Sequence, residues 1–382
     1  MPFDWSPQQA RALDSVAEWH RACMAEIEAG KRLSKPVFRV FGFAGTGKTT
    51  LVKHFADSIE GKTIYGAFTG KAAMVMRQNG CAGATTLHSM IYSCVEDEQT
   101  GQITYIWNED ADCGNAALIA VDECSMVNEA MARDILRHDR PVLVLGDPAQ
   151  LPPVSGAGFF TEAEPDVMLT EIHRQARDNP IIALATTVRE GGSLSFGAWG
   201  ESRVISTRDL NPQMVLAADQ VLVGLNKTRE GWNGRMRELL GRKSHLPAVE
   251  DRLVCLKNDK AKGLFNGGLF RVLEVKPPKT GRAANGEIAM EILDLNTEGD
   301  NRSVKVWSRL ECFRGGLDRL PREARRGLQE FAFGYALTVH KSQGSQWPNV
   351  LVRDESGSFG AESRRHLYTA ITRAAERVTI VI

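Results

Sequence analysis

Gly42-Phe43-Ala44-Gly45-Thr46-Gly47-Lys48-Thr49 fits the spacing G-x-x-x-x-G-K-T and closes an apolar, β-branched run of strand length, Val37–Gly42. Glycines let backbone N–H groups converge on phosphate oxygens, and a helix opening here adds the positive end of its dipole. Gly45, Thr46, Gly47, Lys48, Thr49 and Thr50 are the expected nucleotide cradle. Lys48 would reach the β- and γ-phosphates, and the Thr49 hydroxyl would ligate Mg²⁺. Downstream, Leu118-Ile119-Ala120-Val121-Asp122-Glu123 is an apolar run ending in two carboxylates. A strand end beside a phosphate loop is where a second magnesium ligand, Asp122, and a carboxylate orienting the attacking water, Glu123, belong. Together the two segments point to hydrolysis of a nucleoside triphosphate.

These residues need a scaffold, and the hydrophobic pattern supplies one. Val37–Gly42, Thr63–Phe68, Ala117–Asp122 and Val142–Gly146 read as strands; Thr49–Ile59, Lys71–Gln78 and Asn128–His138 read as helices between them. Continuous apolar strands alternating with helices predict an α/β domain with a parallel sheet buried on both faces, ending near Pro165. A second αβ pattern comprises helix Pro180–Arg189, strand Gln220–Leu225, strands Gly334–Val339 and Asn349–Arg353, helix Ser363–Arg373 and strand Arg377–Ile382. It is interrupted over residues 241–326 by strands Asp251–Leu256, Leu269–Val275, Glu287–Leu295 and Ser303–Trp307, with no helix expected before Arg322. This reads as an inserted small β-barrel. A second interruption, about residues 93–115, reads as a projecting hairpin over Val95–Trp107.

Composition narrows the function classes. Over 382 residues, 47 Lys+Arg balance 47 Asp+Glu, so net charge is zero and any nucleic-acid contact must come from locally placed charge. No apolar run approaches the roughly 18 residues of a membrane span, and the first residues do not resemble a signal peptide; a cytoplasmic protein is expected. The seven cysteines are dispersed without C-x-x-C or zinc-ligand spacing, as free thiols in a reducing compartment are. No Lys or Arg occurs between Arg77 and Arg133, and Glu96, Asp97, Glu98, Glu109, Asp110 and Asp112 make the hairpin region acidic. Such an element repels phosphate and suits a basic protein partner.

Further blocks follow in order. Leu145-Gly146-Asp147-Pro148-Ala149-Gln150-Leu151-Pro152-Pro153-Val154 is a strand running into a proline-fixed loop that would hold Gln150 at the sheet edge. Leu169-Thr170-Glu171-Ile172-His173-Arg174-Gln175, Ala336-Leu337-Thr338-Val339-His340-Lys341-Ser342-Gln343-Gly344-Ser345-Gln346 and Leu367-Tyr368-Thr369-Ala370-Ile371-Thr372-Arg373-Ala374 complete the set. With all of them in this order, the chain resembles superfamily 1 DNA helicases, specifically superfamily 1B and the branch that includes RecD and the phage Dda helicase. The likeness runs from Ser6-Pro7-Gln8-Gln9 to the C-terminal strand.

The resemblance implies two RecA-like domains, residues 1–165 and residues 166–240 with 327–382, facing each other across an ATP cleft while single-stranded DNA lies over both. It implies that Gln9 reads adenine, that Gly344 joins the nucleotide site, that Gln150 links the γ-phosphate to the DNA tract, and that Arg174 and Arg373 reach the γ-phosphate from the second domain. Phe68, Thr69, Lys71, Thr86, His88, Thr338, His340, Lys341 and Ser342 are the implied DNA contacts. The insert over 241–326 resembles an SH3-like module, and its Arg242, Lys243, Lys257, Lys260, Lys262, Arg271, Lys276, Lys279 and Arg282 suit either a DNA contact or a solvated face. The hairpin occupies the place of the branch's wedge, with Tyr105 and Trp107 as candidates to stack where strands separate. Phe68, His173 and Gln346 depart from the branch's usual residues. The expected protein is an ATP- and Mg²⁺-dependent helicase, monomeric by default, acting on single strands and their junctions with duplex and travelling 5′ to 3′. The alternative is an ssDNA-stimulated ATPase that remodels nucleoprotein or drives a larger complex.

Overall fold

The computed structural model describes residues 5–96, 103–152, 158–171, 178–259, 262–276, 286–295, 302–314, 319–321, 323–325 and 327–382. The chain begins with helix α1 (Pro7–Glu28), which leads into strand β1 (Val37–Gly42), helix α2 (Lys48–Ser58), β2 (Thr63–Ala67), helix α3 (Gly70–Gln78) and β3 (Thr85–Thr86). An antiparallel pair follows, β4 (Tyr92–Glu96) with β5 (Ile103–Trp107), Tyr92 opposing Trp107 and Cys94 opposing Tyr105. Then come β6 (Leu118–Asp122), helix α4 (Glu129–Leu136), β7 (Val142–Gly146) and β8 (Val167–Leu169). The first sheet is six-stranded and parallel, ordered β3-β2-β6-β7-β1-β8. Leu118, Ile119, Val142, Leu143, Val144 and Leu145 are fully buried, as a sheet covered on both faces requires.

The second α/β unit contains helix α5 (Pro180–Arg189), β9 (Gly197–Trp199), β10 (Ser202–Ile205), β11 (Gln220–Val223) and helix α6 (Asn226–Leu239). After an antiparallel sheet, to which β12 (Arg252–Cys255), β13 (Leu269–Lys276), β14 (Glu287–Asp294), β15 (Ser303–Arg309) and β16 (Phe331–Phe333) belong, the unit resumes. It closes with β17 (Ala336–Thr338), β18 (Trp347–Arg353), helix α7 (Ser363–Ile371) and β19 (Ala374–Val381). Its sheet runs β17-β11-β18-β19-β10-β9, parallel except for the β9–β10 pair. The antiparallel sheet runs β15-β14-β13-β12-β16 around its own core, with Phe270, Val272, Ile292 and Phe331 buried.

Several boundaries differ from the sequence reading. The first sheet does not end at Pro165, because β8 pairs in parallel with β1, Val40 opposite Val167. The antiparallel sheet likewise passes residue 326: β16 pairs with β12, Leu253 opposite Phe333. A one-turn helix, Glu311–Arg314, stands where none was expected. Two long helices, α1 and α6, were not read from the pattern. Helix α1 is nucleated by Ser6, whose hydroxyl accepts from the Gln9 N–H while the Gln9 side chain accepts from the Ser6 N–H, with Pro7 at the first helical position. Its buried Ala12, Val16, Trp19, His20 and Cys23 follow helical spacing. The described cysteines Cys23, Cys81, Cys113, Cys124, Cys255 and Cys312 are free. No described helix is long and apolar enough to cross a membrane.

Candidate active site and nucleic-acid interface

The phosphate loop joins β1 to α2. Gly45 (φ +79°) and Gly47 (φ +77°) lie in the left-handed region, which an L side chain enters only with strain. Lys48 Nζ donates to the carbonyls of Gly42 (2.7 Å) and Phe43 (3.1 Å), so its ammonium is folded over the loop mouth. Thr49 Oγ1 donates to Asp122 Oδ2 (3.0 Å), and Asp122 Oδ1 accepts from the Glu123 N–H (2.8 Å). Thr50 is exposed on the first turn of α2. The hydroxyl and carboxylate converge as a hard-oxygen pair of the kind Mg²⁺ takes together with phosphate oxygens, and among the described residues no cluster of three or more His, Cys, Asp or Glu competes for a metal. Burial pushes both the Asp122 and Glu123 carboxyls upward, a cost that cations relieve: Lys48 opposes it at Asp122, and Arg373, then Lys48, at Glu123. The residues therefore fit a nucleotide with its magnesium ion. Glu123 itself has φ +52°, ψ +43°, an uncommon backbone state for a non-glycine residue at a strand end.

Opposite the carboxylates stands Arg373, two residues past the end of α7 and buried. Its Nη1 is 4.0 Å from Glu123 Oε1, while Nε donates to the Thr369 carbonyl (3.1 Å) and Nη1 to the Ser345 carbonyl (3.3 Å). Gln150 lies between them. With its amide turned so that each end meets a complementary partner, the nitrogen donates to Glu123 Oε2 (3.1 Å) and the oxygen accepts from Arg373 Nη2 (3.2 Å). Arg174 and His173 fall outside the described residues.

Two expected nucleotide residues have other employment. Gln9 is buried; its Oε1 accepts from the Ser6 N–H and its Nε2 donates to the Thr46 carbonyl (3.0 Å). Each end of the amide thus makes one bond that braces the phosphate loop and keeps a second hydrogen-bonding position. Gly344 (φ +71°) packs against the start of α3, where an added Cβ would come within 2.7 Å of Thr69 Oγ1 and 3.0 Å of the Ala72 Cβ. It belongs to the contact between the two units, beside a second cleft.

That cleft, about 670 Å³, is lined from the first unit by Phe68, Thr69, Gly70, Lys71, Thr86 and His88, and from the second by Thr338, His340, Lys341, Gln343 and Phe359. Eight expected contacts from three separate chain segments therefore meet on one surface. Thr69 caps α3, accepting from the Ala72 N–H (3.1 Å), and so presents a helix N-terminus to the cleft, a ready site for a phosphate. Lys71 sits over the Trp347 ring, 4.3 Å from its centroid, and burial pushes its ammonium down to about 8. Burial also lowers His340 and Lys341. Ser342 is the exception: it is buried and its hydroxyl donates to the Val339 carbonyl (2.7 Å), so it braces a turn.

The basic residues of the inserted sheet are mostly paired locally. Arg242 bonds Asp251 and the Val249 carbonyl, Arg271 pairs with Glu250, Lys276 with Glu274, and Lys262 donates to the Lys305 carbonyl. Lys243 and Lys257 are exposed, and Lys260, Lys279 and Arg282 lie outside the described residues. On the β4–β5 pair, Trp107 donates Nε1 to the Asp134 carbonyl (3.0 Å) and carries the Arg137 guanidinium 4.0 Å above its ring. It is half-buried and anchored to α4. Tyr105 is 45% exposed, with its ring 5.5 Å from that of His88.

Tyr368, quoted in the sequence only as part of a block, proves central. Its hydroxyl accepts from the Ala44 N–H of the phosphate loop (3.0 Å) and donates to Asp147 Oδ2 (2.7 Å). No sequence signal beyond that block marks it.

Similarity to known proteins agrees with this geometry. A family profile described as an AAA domain matches residues 21–207, and one described as a UvrD-like helicase C-terminal domain matches residues 333–381. The ATP-dependent RecD2 DNA helicase of Deinococcus radiodurans is 30% identical over 98% of this chain and 50% of that protein. The RecBCD enzyme subunit RecD of Mycobacterium tuberculosis is 27% identical over 69% of this chain and 49% of that one. The chain thus spans about half the length of these two relatives. A crystal structure of Pif1 helicase from Bacteroides in complex with ADP-AlF3 and ssDNA superposes with a TM-score of 0.57 at 17% identity, covering 99% of this chain and 92% of that one, which establishes the shared fold of two facing α/β units. By its profile matches, its relatives and its fold, the chain belongs to the RecD/Pif1-like helicases of superfamily 1B.

Proposed function

We propose that this chain is an ATP-driven motor that translocates on single-stranded DNA and separates duplex DNA, moving 5′ to 3′. The observation that carries the reading is the Glu123–Gln150–Arg373 bridge: it spans the two α/β units next to the phosphate loop, while the cleft formed by α3, His88, Thr338 and His340 spans the same two units. Relative motion of the units therefore acts on both sites at once. The names of the RecD2 and Pif1 relatives supply the substrate class, ATP and DNA.

In this reading the phosphate loop N–H groups and Lys48 bind the triphosphate, and Thr49 with Asp122 would hold the magnesium ion. That ion would neutralise charge on the β- and γ-phosphate oxygens. Glu123 accepts a proton from the attacking water and orients it. Gln150 reports the occupancy of this site to Arg373, which offers its guanidinium to the charge that develops in the transition state. Arg174 is the second arginine of the pair. Thr69, Thr86, Thr338 and the N-terminus of α3 hold phosphates without reading bases, and Phe68 and His88 give bases a stacking surface.

The domain assignment belongs to this proposal: a first RecA-like unit through β8, a second split around the insert, and an SH3-like role for the antiparallel sheet, closing over the strand. The β4–β5 pair is the wedge, with Tyr105 as the stacking residue. Monomeric action and a basic protein partner at the acidic region around Glu109, Asp110 and Asp112 complete it.

The test is strand displacement with ATP and Mg²⁺ on duplexes carrying a 5′ or a 3′ single-stranded tail. Separation of only the 5′-tailed duplex is expected. Separation of only the 3′-tailed duplex overturns the direction, and separation of neither, with hydrolysis stimulated by single strands, leaves a motor that works on nucleoprotein or within a complex.

A further inference from the structure

The Tyr368 hydroxyl is a buried junction of three chain segments. It accepts from the Ala44 N–H in the phosphate loop (3.0 Å) and donates to Asp147 (2.7 Å), whose other oxygen accepts from the Ala149 N–H (2.9 Å). Tyr368 and Asp147 are 2% and 3% exposed, so neither finds water as a substitute partner. The next residue on α7 repeats the connection: Thr369 Oγ1 accepts from the Leu151 N–H (2.9 Å). Helix α7 is thus fastened to the loop carrying Gln150 at two successive positions, and to the phosphate loop at one of them. One turn later the same helix fixes Arg373, whose Nε donates to the Thr369 carbonyl (3.1 Å).

A second strut reinforces the first. The Arg189 guanidinium from α5 lies 3.6 Å from the centroid of the Phe43 ring, next to Ala44. Both contacts join the second unit to the first half of the phosphate loop, at Phe43 and Ala44. They act on the loop's position and need not touch the nucleotide.

We propose that Tyr368 is a positioning residue for hydrolysis: its hydroxyl locks the phosphate loop, the Asp147–Leu151 loop and α7 into one register, so that Arg373 meets the reacting phosphate. The proposal rests on the reading of this site as an ATPase. Losing the hydroxyl leaves the ring packed but frees α7 to settle by a fraction of an ångström, and a guanidinium displaced by that much stabilises the transition state less while the triphosphate still binds.

The test is steady-state ATP hydrolysis with saturating single-stranded oligo(dT), comparing wild type with Tyr368→Phe. The expected result is a kcat lower by about tenfold with KM for ATP changed by less than about twofold. Asp147→Asn, which keeps an acceptor for the hydroxyl, should lose less than about threefold, and Asp147→Ala combined with Tyr368→Phe should be no slower than the slower single variant. A merely structural role would instead lower the unfolding midpoint, raise KM and give additive losses. Wild-type hydrolysis matched by Tyr368→Phe, or additive losses, overturns the proposal alone. A wild-type protein that does not hydrolyse ATP overturns both the proposal and the ATPase reading beneath it.

Discussion

Glu123 and Arg373 belong to different α/β units yet face each other at 4.0 Å, with the Gln150 amide bonded to both. Burial raises the Glu123 carboxyl, and Arg373 from the other unit is the foremost group opposing that rise, ahead of Lys48. Glu123 also sits at φ +52°, a backbone state held by its surroundings rather than by its own preference. In the proposed mechanism, the cation that most favours the charged form of Glu123 comes from the opposing unit, so the base is favoured when the two units are together.

Replacing Arg373 separates these roles. Arg373→Ala should reduce ATP turnover by about 10³-fold or more, the scale of a transition-state arginine, while nucleotide affinity changes far less. Gln150→Ala should lose less in turnover but should uncouple it from DNA, lowering the ratio of stimulated to basal hydrolysis. Turnover with and without oligo(dT), beside equilibrium binding of a fluorescent nucleotide, reads both; a large loss of affinity in Arg373→Ala would make it a binding residue instead.

Lys48→Ala should abolish hydrolysis at little structural cost. The ammonium's hydrogen bonds go to the carbonyls of Gly42 and Phe43; its removal also takes away a cation that opposes the rise of the Asp122 and Glu123 carboxyls, which take up a proton more readily instead, and the unfolding midpoint should move by no more than a few degrees. Retained hydrolysis would remove the phosphate loop from the mechanism.

The parts of the site fixed by local backbone geometry were legible in the sequence. A phosphate loop must have glycines where φ is positive and a lysine at the helix start, and a strand ending in Asp122-Glu123 must present them at the sheet edge. What the sequence hid depends on long-range packing. The Tyr368–Ala44 bond joins residues 324 apart, and the Tyr368–Asp147 bond residues 221 apart, so no periodicity announces them. The same applies to individual side chains: Gln9 and Ser342 have the right types for a ligand, and their bonds to local carbonyls and N–H groups are not legible in the sequence. Domain edges were misread because β8 and β16 are only three residues each, and their partners, not their composition, decide which sheet they join.

DNA affinity should depend on pH through Lys71. Burial sets its ammonium at about 8, opposed by Asp294 and aided by Arg373, so the cation is present below that pH and lost as pH rises through it. Lys341, also lowered by burial, acts in the same direction. Anisotropy of labelled oligo(dT) at pH 7 and pH 9 should show weaker binding at the higher pH. The slope of log affinity on log salt should be shallower by about 0.7 per lost phosphate contact. Lys71→Arg, which stays charged, should flatten the profile; an unchanged profile would place the titrating cation elsewhere.

Tyr105 and Trp107 lie two residues apart on β5 and should fail in opposite ways. Trp107 is tied to α4 through the Asp134 carbonyl and the overlying Arg137, so Trp107→Ala should cost about 2 kcal/mol of stability, read as a lower denaturant midpoint. Tyr105 is 45% exposed and its ring meets those of His88 and Tyr92, so Tyr105→Ala should stay within about 1 kcal/mol of wild type. If β4–β5 is the wedge, Tyr105→Ala should slow strand displacement severalfold while ssDNA-stimulated hydrolysis stays at the wild-type rate. That pattern follows because stacking at the junction acts on the duplex and not on the nucleotide. Equal unwinding by wild type and Tyr105→Ala, with hydrolysis intact in both, would mean the strands part against another surface, and the β4–β5 pair would be left as a docking element.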